Sequence, residues 1–188
     1  MASGGEAHYL AFQIGADAFG GPSQGGVEFI AGVNASLLYR LCDMLWLGIR
    51  PALHYGYREG TPYEATWLHA DAAFHFNILH DPIRLYVVGA GGYTGALDGD
   101  LHGGLAHGWS IFGGLGADWR FDGPLGLFIE LGFRGGQAKR DETVLDLDAD
   151  GNPQCTSQLT CLAYKTKTVT RDLGLTVFTI NIGLVFQQ

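Results

Sequence analysis

The chain has 188 residues, of which 47% are hydrophobic, 12% aromatic and only 16% charged, and 30 are glycine. So much apolar and aromatic content excludes disorder, the glycines lack collagen's three-residue period, and a net charge of -8 argues against a nucleic-acid partner. The length suits one domain, 1–188. No run reaches the about 18 to 20 consecutive apolar residues of a membrane-spanning helix. The opening MASGGEAHYL lacks the basic and apolar regions of a signal peptide, so an exported protein would be present here in its mature form.

Alternation with a period of two residues dominates and predicts eight strands. The first, 8 to 19, sets Leu10, Phe12, Ile14 and Ala16 against Gln13 and Asp17. The second, 27 to 40, sets Phe29, Val33, Ala35, Leu37 and Tyr39 against Glu28, Asn34, Ser36 and Arg40. The third, 45 to 58, sets Leu47, Ile49, Leu53, Tyr55 and Tyr57 against Trp46, Arg50, His54 and Arg58. The fourth, 67 to 78, sets Leu68, Ala72, Phe74 and Phe76 against Trp67, His69, Asp71, His75 and Asn77. The fifth, 83 to 94, is apolar almost throughout and leaves its phase open. The sixth, 109 to 121, sets Trp109, Ile111, Leu115, Trp119 and Phe121 against Ser110, Phe112, Asp118 and Arg120. The seventh, 125 to 134, sets Leu125, Leu127, Ile129, Leu131 and Phe133 against Phe128, Glu130 and Arg134. The eighth, 178 to 186, sets Phe178, Ile180, Ile182, Leu184 and Phe186 against Thr179 and Asn181.

The connections alternate too. Those at 41–44, 80–82 and 122–124 are tight, whereas those near 20–26, 59–63, 95–107 and 137–167 are mostly longer and richer in glycine and charge. Short turns on one side, long loops on the other and strands that run to 12 or more residues predict an all-β, eight-stranded antiparallel up-and-down transmembrane β-barrel, with 137–167 as a long extracellular loop. A water-soluble sandwich would have shorter strands, and a soluble lipocalin-like barrel is the competing fold. The nearly charge-free face then meets lipid. Tyr39, Trp119, Phe121 and Phe186 mark the short-turn rim, and Tyr55, Tyr57, Tyr93 and Trp109 the long-loop rim.

Over essentially its whole length the chain resembles the small eight-stranded outer-membrane barrels of the OmpA-transmembrane-domain, OmpX and OmpW type. The most specific residues are FTINIGLVF (178–186), which are similar to that family's C-terminal assembly signal; Gln187 and Gln188 follow Phe186. The resemblance implies the outer membrane of a Gram-negative bacterium, with both termini periplasmic. It also implies contact with outer-membrane lipid or lipopolysaccharide and with the assembly machinery, and a monomer. It implies no activity, because unrelated functions share the scaffold.

An eight-stranded barrel is just wide enough for side chains to fill, and Leu38, Trp46, Trp67, Phe112 and Phe128 fall on the lumen face. Folding the predicted hairpins places Arg50 opposite Asp71 and Glu28 near Arg58, with Glu130 in reach of Arg120 or Arg134. Such interior charges are tolerable only when paired. They predict a lumen plugged by structural ion pairs. His54, His69 and His75 point inward on neighbouring strands and read as lumen polar residues, with a metal site or general base as the sharper alternative. The nearest approach to the Ser–His pair of a lipid A deacylase is His107 with Ser110, three apart and on opposite faces of a regular strand.

In the long loop, Asp146, Asp148, Asp150 and Gly151 match the opening of a calcium loop, although the twelfth position is Ser157 rather than Glu. A solvated acidic loop is the plainer reading, so no cofactor is expected beyond a weak Ca²⁺ site. Cys155 and Cys161 are either free thiols or, in an oxidising compartment, a disulfide. The expected function is that of a non-enzymatic, porin-like outer-membrane protein that presents loops. The alternatives are a narrow channel or hydrophobic-solute transporter, and a lipid A-modifying enzyme.

Overall fold

The computed structural model describes residues 9–23, 26–58, 64–79, 83–98, 105–121, 123–147 and 165–188. These form strands β1 (Leu10–Ser23), β2 (Gly26–Arg40), β3 (Leu45–Arg58), β4 (Glu64–Leu79), β5 (Ile83–Asp98), β6 (Leu105–Arg120), β7 (Leu125–Leu145) and β8 (Thr166–Gln187). Each pairs antiparallel with its sequence neighbour, and β1 pairs with β8 from Ala11↔Gln187 to Gly20↔Phe178, closing the barrel. No described helix is long and apolar enough to cross a membrane. Closure leaves no strand edge in the wall. In hydrocarbon each backbone N–H and C=O must find its partner within the protein, and a closed ladder supplies it.

The turns hold the register. In the β2–β3 turn the Leu41 N–H donates to the Leu45 carbonyl at 2.9 Å and the Leu45 N–H returns to that of Cys42 at 3.2 Å. Between β6 and β7, Gly123 takes φ +115°, the left-handed region that residues with a Cβ avoid. At the seam, the N–H groups of Tyr9 and Leu10 donate to the Gln188 carbonyl at 3.0 and 3.1 Å, so the two glutamines after Phe186 complete the closure. The β2–β3 ladder skips from Asn34↔Ala52 to Leu37↔Ile49, around Pro51, whose nitrogen has no hydrogen to donate.

Alternation sorts side chains between two surroundings. Outward-facing Phe133, Leu115, Ile49 and Ile182 are more than half exposed, while Arg50, Arg84, Arg134, Asp71, Asp118 and Glu130 are buried in the lumen. This inversion suits a wall bathed in lipid. The open phase of the fifth strand resolves with Arg84, Tyr86, Val88 and Thr94 inward and Ile83, Leu85, Tyr93 and Leu97 outward. Tyr39, Trp119, Phe121 and Phe186 lie exposed near the end with the short turns, and Tyr55, Tyr93 and Trp109 near the opposite end. The Tyr57 side chain lies outside the described residues.

Three predicted connections change. Within 95–107, β5 runs on to Asp98 and β6 starts at Leu105, paired from Gly95↔His107 to Leu97↔Leu105. β1 and β2 extend to Ser23 and from Gly26, so 20–26 is mostly strand rather than a long loop. The segment 137–167 is not loop throughout, since β7 continues to Leu145 and β8 starts at Thr166, paired from Gln137↔Gly174 to Leu145↔Thr166. Polar composition there reads as loop, but Thr143, Val144, Thr166, Thr168, Val169 and Thr170 are β-branched, and the antiparallel ladder satisfies their backbone without needing an apolar face.

Leu131 sits between the two aromatic rims, beside Leu115 and Ile180. Leu131→Arg is expected to destabilise the folded barrel by about 2–4 kcal/mol, and Leu125→Arg at the rim by no more than about 1 kcal/mol. Urea unfolding in lipid vesicles measures both.

Candidate functional site

The lumen gathers most of the barrel's polar chemistry, in tiers. At mid-depth Arg50 of β3 donates from Nη2 to Oε1 of Glu130 on the opposite wall at 2.8 Å, and from Nε to Ser36 Oγ at 2.9 Å. Glu130 also accepts from Tyr86 OH at 3.1 Å and, through Oε2, from Asn181 Nδ2 at 3.0 Å. Asn34 Nδ2 lies 3.0 Å from both Asn181 Oδ1 and Asp17 Oδ2, and Asp17 Oδ2 is also 3.0 Å from His54 Nε2. Glu130 is fully buried, and these three donors, one of them a guanidinium, offset the cost of burying its carboxylate.

Towards the long-loop end, Arg134 Nη1 donates to Asp71 Oδ2 at 2.8 Å and to Ser110 Oγ at 2.9 Å. The Ser110 and Thr94 hydroxyls lie 3.1 and 2.9 Å from His69 Nδ1. The Phe112 ring is flanked by the guanidiniums of Arg50 at 5.6 Å and Arg134 at 5.7 Å, which adds cation–π attraction where water is scarce. Beyond this tier an apolar layer of Ile30, Trp67, Ala96, Ala106, Ala138, Leu175 and Val177 crosses the lumen. Towards the short-turn end, Arg84 pairs with Asp118 and lies 5.1 Å from each of the Trp46 and Tyr86 rings. Tyr86 in turn stacks on His75 at 4.3 Å.

Arg50 and Asp71 do face each other in the β3–β4 register, as the hairpin arithmetic requires, but they do not pair with each other. Arg50 crosses to Glu130 and Asp71 takes Arg134, because side chains standing perpendicular to so narrow a wall meet tips from the far side. Glu130 and Arg134, four residues apart on β7, therefore go to different partners. Arg120 is exposed at the turn end, whereas Glu130 is buried and takes its cation from Arg50. Glu28 and Arg58 are register partners, although their side chains lie outside the described residues.

His54, His69 and His75 are all buried in the lumen, with the first two rings 5.0 Å apart. Among the described residues no three His, Cys, Asp or Glu side chains are arranged to hold a metal ion. His107 and Ser110 do lie on opposite faces; His107 Nδ1 is 2.6 Å from Tyr93 OH on the outer wall. Asp146 is 3.4 Å from Lys167, while Asp148, Asp150, Cys155 and Cys161 lie outside the described residues.

Sequence reasoning missed Arg84 with Asp118, the Tyr86 bond to Glu130 and the Asn34–Asn181 bridge. Arg84 was recoverable, because a lone arginine in a lipid-spanning apolar strand must face inward and so fixes the strand's phase. Tyr86 depends on Gly116 of the next strand, where a Cβ would collide with the tyrosine ring.

Arg50→Met leaves Glu130 buried without its cation and is expected to cost roughly 3–5 kcal/mol, whereas adding Glu130→Gln recovers much of that loss. Unfolding free energies of the two single variants and the double variant form the cycle that checks it. Gly116→Val, which displaces Tyr86, is expected to destabilise by roughly 1–3 kcal/mol in the same assay.

No protein-family model and no curated protein matches this sequence. Among solved structures it is similar to Neisserial surface protein A, with 10% identity, a TM-score of 0.55 and coverage of 95% of this chain and 97% of that one. It is also similar to Ail, the attachment invasion locus protein of Yersinia pestis, with 12% identity, a TM-score of 0.52 and coverage of 96% and 99%. A closed eight-stranded barrel with an apolar outer wall and a charged interior, matched end to end by these two proteins, has the fold of the small outer-membrane β-barrels.

Proposed function

We propose that the protein is a non-enzymatic, monomeric barrel of a bacterial outer membrane, which holds loops at the cell surface on a scaffold whose lumen is plugged. The observation that carries this reading is the pair of ion pairs spanning the lumen, Arg50–Glu130 and Arg134–Asp71, in side chains that are buried. Opening a path through them would separate four charges in a poorly hydrated interior. The gap between Ile30, His54, Trp67, His69 and Leu175 is too tight to hold a water molecule. In this reading the outer wall contacts membrane lipid, both termini are periplasmic, and β8 is the strand that the assembly machinery recognises. The lipid-modifying alternative has less support, since His107 and Ser110 point to opposite sides of β6.

One observation favours a second reading, a narrow channel. The same four charges have another complete pairing, because Arg50 faces Asp71 across β3–β4 while Glu130 and Arg134 share one face of β7. Rewiring would keep each charge partnered while clearing the centre of the lumen.

Planar-bilayer recording decides between the two. The plugged barrel is expected to show no steady current, with brief openings only after the Arg50→Ala, Glu130→Ala double substitution. Stable conductance of the unaltered protein, reproduced across preparations, supports the channel instead.

A further inference from the structure

Among the described residues the outer wall carries no charge between its aromatic rims, and this changes where β7 parts from β6. The last rung joining these strands is His107↔Lys139, with both residues exposed on the outer face. It stands two residues beyond the rung Trp109↔Gln137, about 7 Å along the strands, and Trp109 with Tyr93 marks the long-loop rim. Rim aromatics sit at headgroup level, so an imidazole and an ammonium are neighbours among the headgroups.

The imidazole is held in place. Its Nδ1 lies 2.6 Å from Tyr93 OH, with the ring centroids 5.9 Å apart. Tyr93 can lie along the wall because the next residue on that face is Gly95, where a Cβ would stand 3.2 Å from the hydroxyl and 3.1 Å from Leu105 Cδ1. With Nδ1 engaged, His107 meets a ligand through Nε2. An acceptor there selects the state in which Nε2 carries a proton: Tyr93 donates to Nδ1 of the neutral ring, or accepts from it in the imidazolium. Lys139 adds three donors and a positive charge, and Trp109 and Gln137 on the next rung add an indole and an amide N–H. Asp141, the next outward residue of β7, accepts from Thr170 at 2.6 Å, and the Asp172 side chain, opposite Lys139 on β8, lies outside the described residues.

Donors drawn from two strands around one cation fit an anion with several acceptor oxygens. A quaternary ammonium headgroup would meet Lys139 with like charge. Further along the wall, Ile111 and Phe133 are more than half exposed, so the seat continues into contact with acyl chains. We propose that His107, Lys139, Trp109 and Gln137 bind the phosphate group of an outer-leaflet lipid, with Tyr93 orienting the imidazole, at the fork from which the β7–β8 ribbon leaves the barrel. This names one lipid contact of the outer wall and rests on the outer-membrane reading, whether or not the lumen is plugged.

The test folds the full chain in micelles of a neutral detergent and titrates it with dioleoyl phosphatidic acid, with dioleoylglycerol, which has the same chains without the phosphate, and with inorganic phosphate. Binding is read from the indole ¹⁵N–¹H signal of Trp109, assigned by Trp109→Phe. Phosphatidic acid is expected to move it saturably and to bind about tenfold tighter than either other probe, or more. Equal binding of dioleoylglycerol reduces the seat to an apolar contact, equal binding of inorganic phosphate removes the lipid from it, and either overturns the proposal. His107→Phe and Lys139→Gln, both at exposed outer positions, are each expected to weaken phosphatidic acid about fivefold or more, while Arg120→Gln at the opposite rim changes nothing. Binding that survives the first two, or falls equally in the third, lies elsewhere and overturns the proposal. Tyr93→Phe is expected to shift the ¹⁵N signal of His107 Nδ1 and to weaken binding less than His107→Phe; an unmoved Nδ1 overturns the orienting role. A chain that shows no gel shift on heating removes the outer-membrane reading and the site with it, whereas a folded barrel that binds no phosphatidic acid removes the site alone.

Discussion

The constraint on which the rest of the structure depends is that a backbone in hydrocarbon cannot leave its hydrogen-bonding groups unpaired. β1 and β8 must therefore meet, and Gln188, hydrogen-bonded to Tyr9 and Leu10, shows the closure carried to the last residue. Closing eight strands fixes a narrow cylinder, and the cylinder decides what its interior can be. Long side chains from opposite walls touch there, so Arg50 meets Glu130 across the barrel rather than Asp71 beside it. The place where the ladder skips, at Pro51, is also where Ser36 accepts from the neighbouring Arg50. Backbone irregularity and lumen network share one location.

From closure follows an inverted distribution of polarity. Lipid around the wall removes any cost of exposing Phe133 or Leu115, while charges are confined to the inside, where each needs a partner. The core is thus an electrostatic object with aromatic spacers. Phe112 lies between two guanidiniums, and Tyr86 both donates to Glu130 and stacks on His75. Such a network specifies geometry more than it adds stability. An apolar replacement of matched volume costs little, but removal of one partner strands the other.

Much of this was legible in the sequence for a physical reason. Alternation with period two assigns residues to faces without knowledge of the fold, which placed Leu38, Trp46, Trp67, Phe112, Phe128 and the three histidines inward. The hairpins likewise set Arg50 against Asp71 and Glu28 against Arg58 in register. The lumen-spanning pairs Arg50–Glu130 and Arg134–Asp71 were not legible, because they join strands three or four apart in order, where reach depends on tilt and stagger rather than on hairpin counting; Arg84 and Asp118, by contrast, are register partners on neighbouring strands that the open phase of the fifth strand concealed. Strand ends were misread where composition turned polar, at Gly20–Ser23 and beyond Gly136, since extended pairing persists wherever a neighbouring strand can answer it.

The last of these departures shows how the surrounding medium sets the rules along one strand. β8 between Gly20↔Phe178 and its end at Gln187 is paired on both sides, as lipid demands, but from Thr166 to Val177 it has no β1 partner among the described residues. Likewise β7 parts from β6 after His107↔Lys139. The two continue as a ribbon with open edges, a form that is excluded in hydrocarbon and tolerated where water satisfies the free groups. Its side chains agree with that setting: Thr170 donates to Asp141 at 2.6 Å, and Lys167 lies 3.4 Å from Asp146, both on exposed positions. Charges along an open edge discourage uncontrolled strand pairing, so the ribbon does not become a template for aggregation. The change of chemistry along β8, from alternating Phe, Ile and Leu to a run of Thr and Lys, therefore marks where the wall ends and the surface begins.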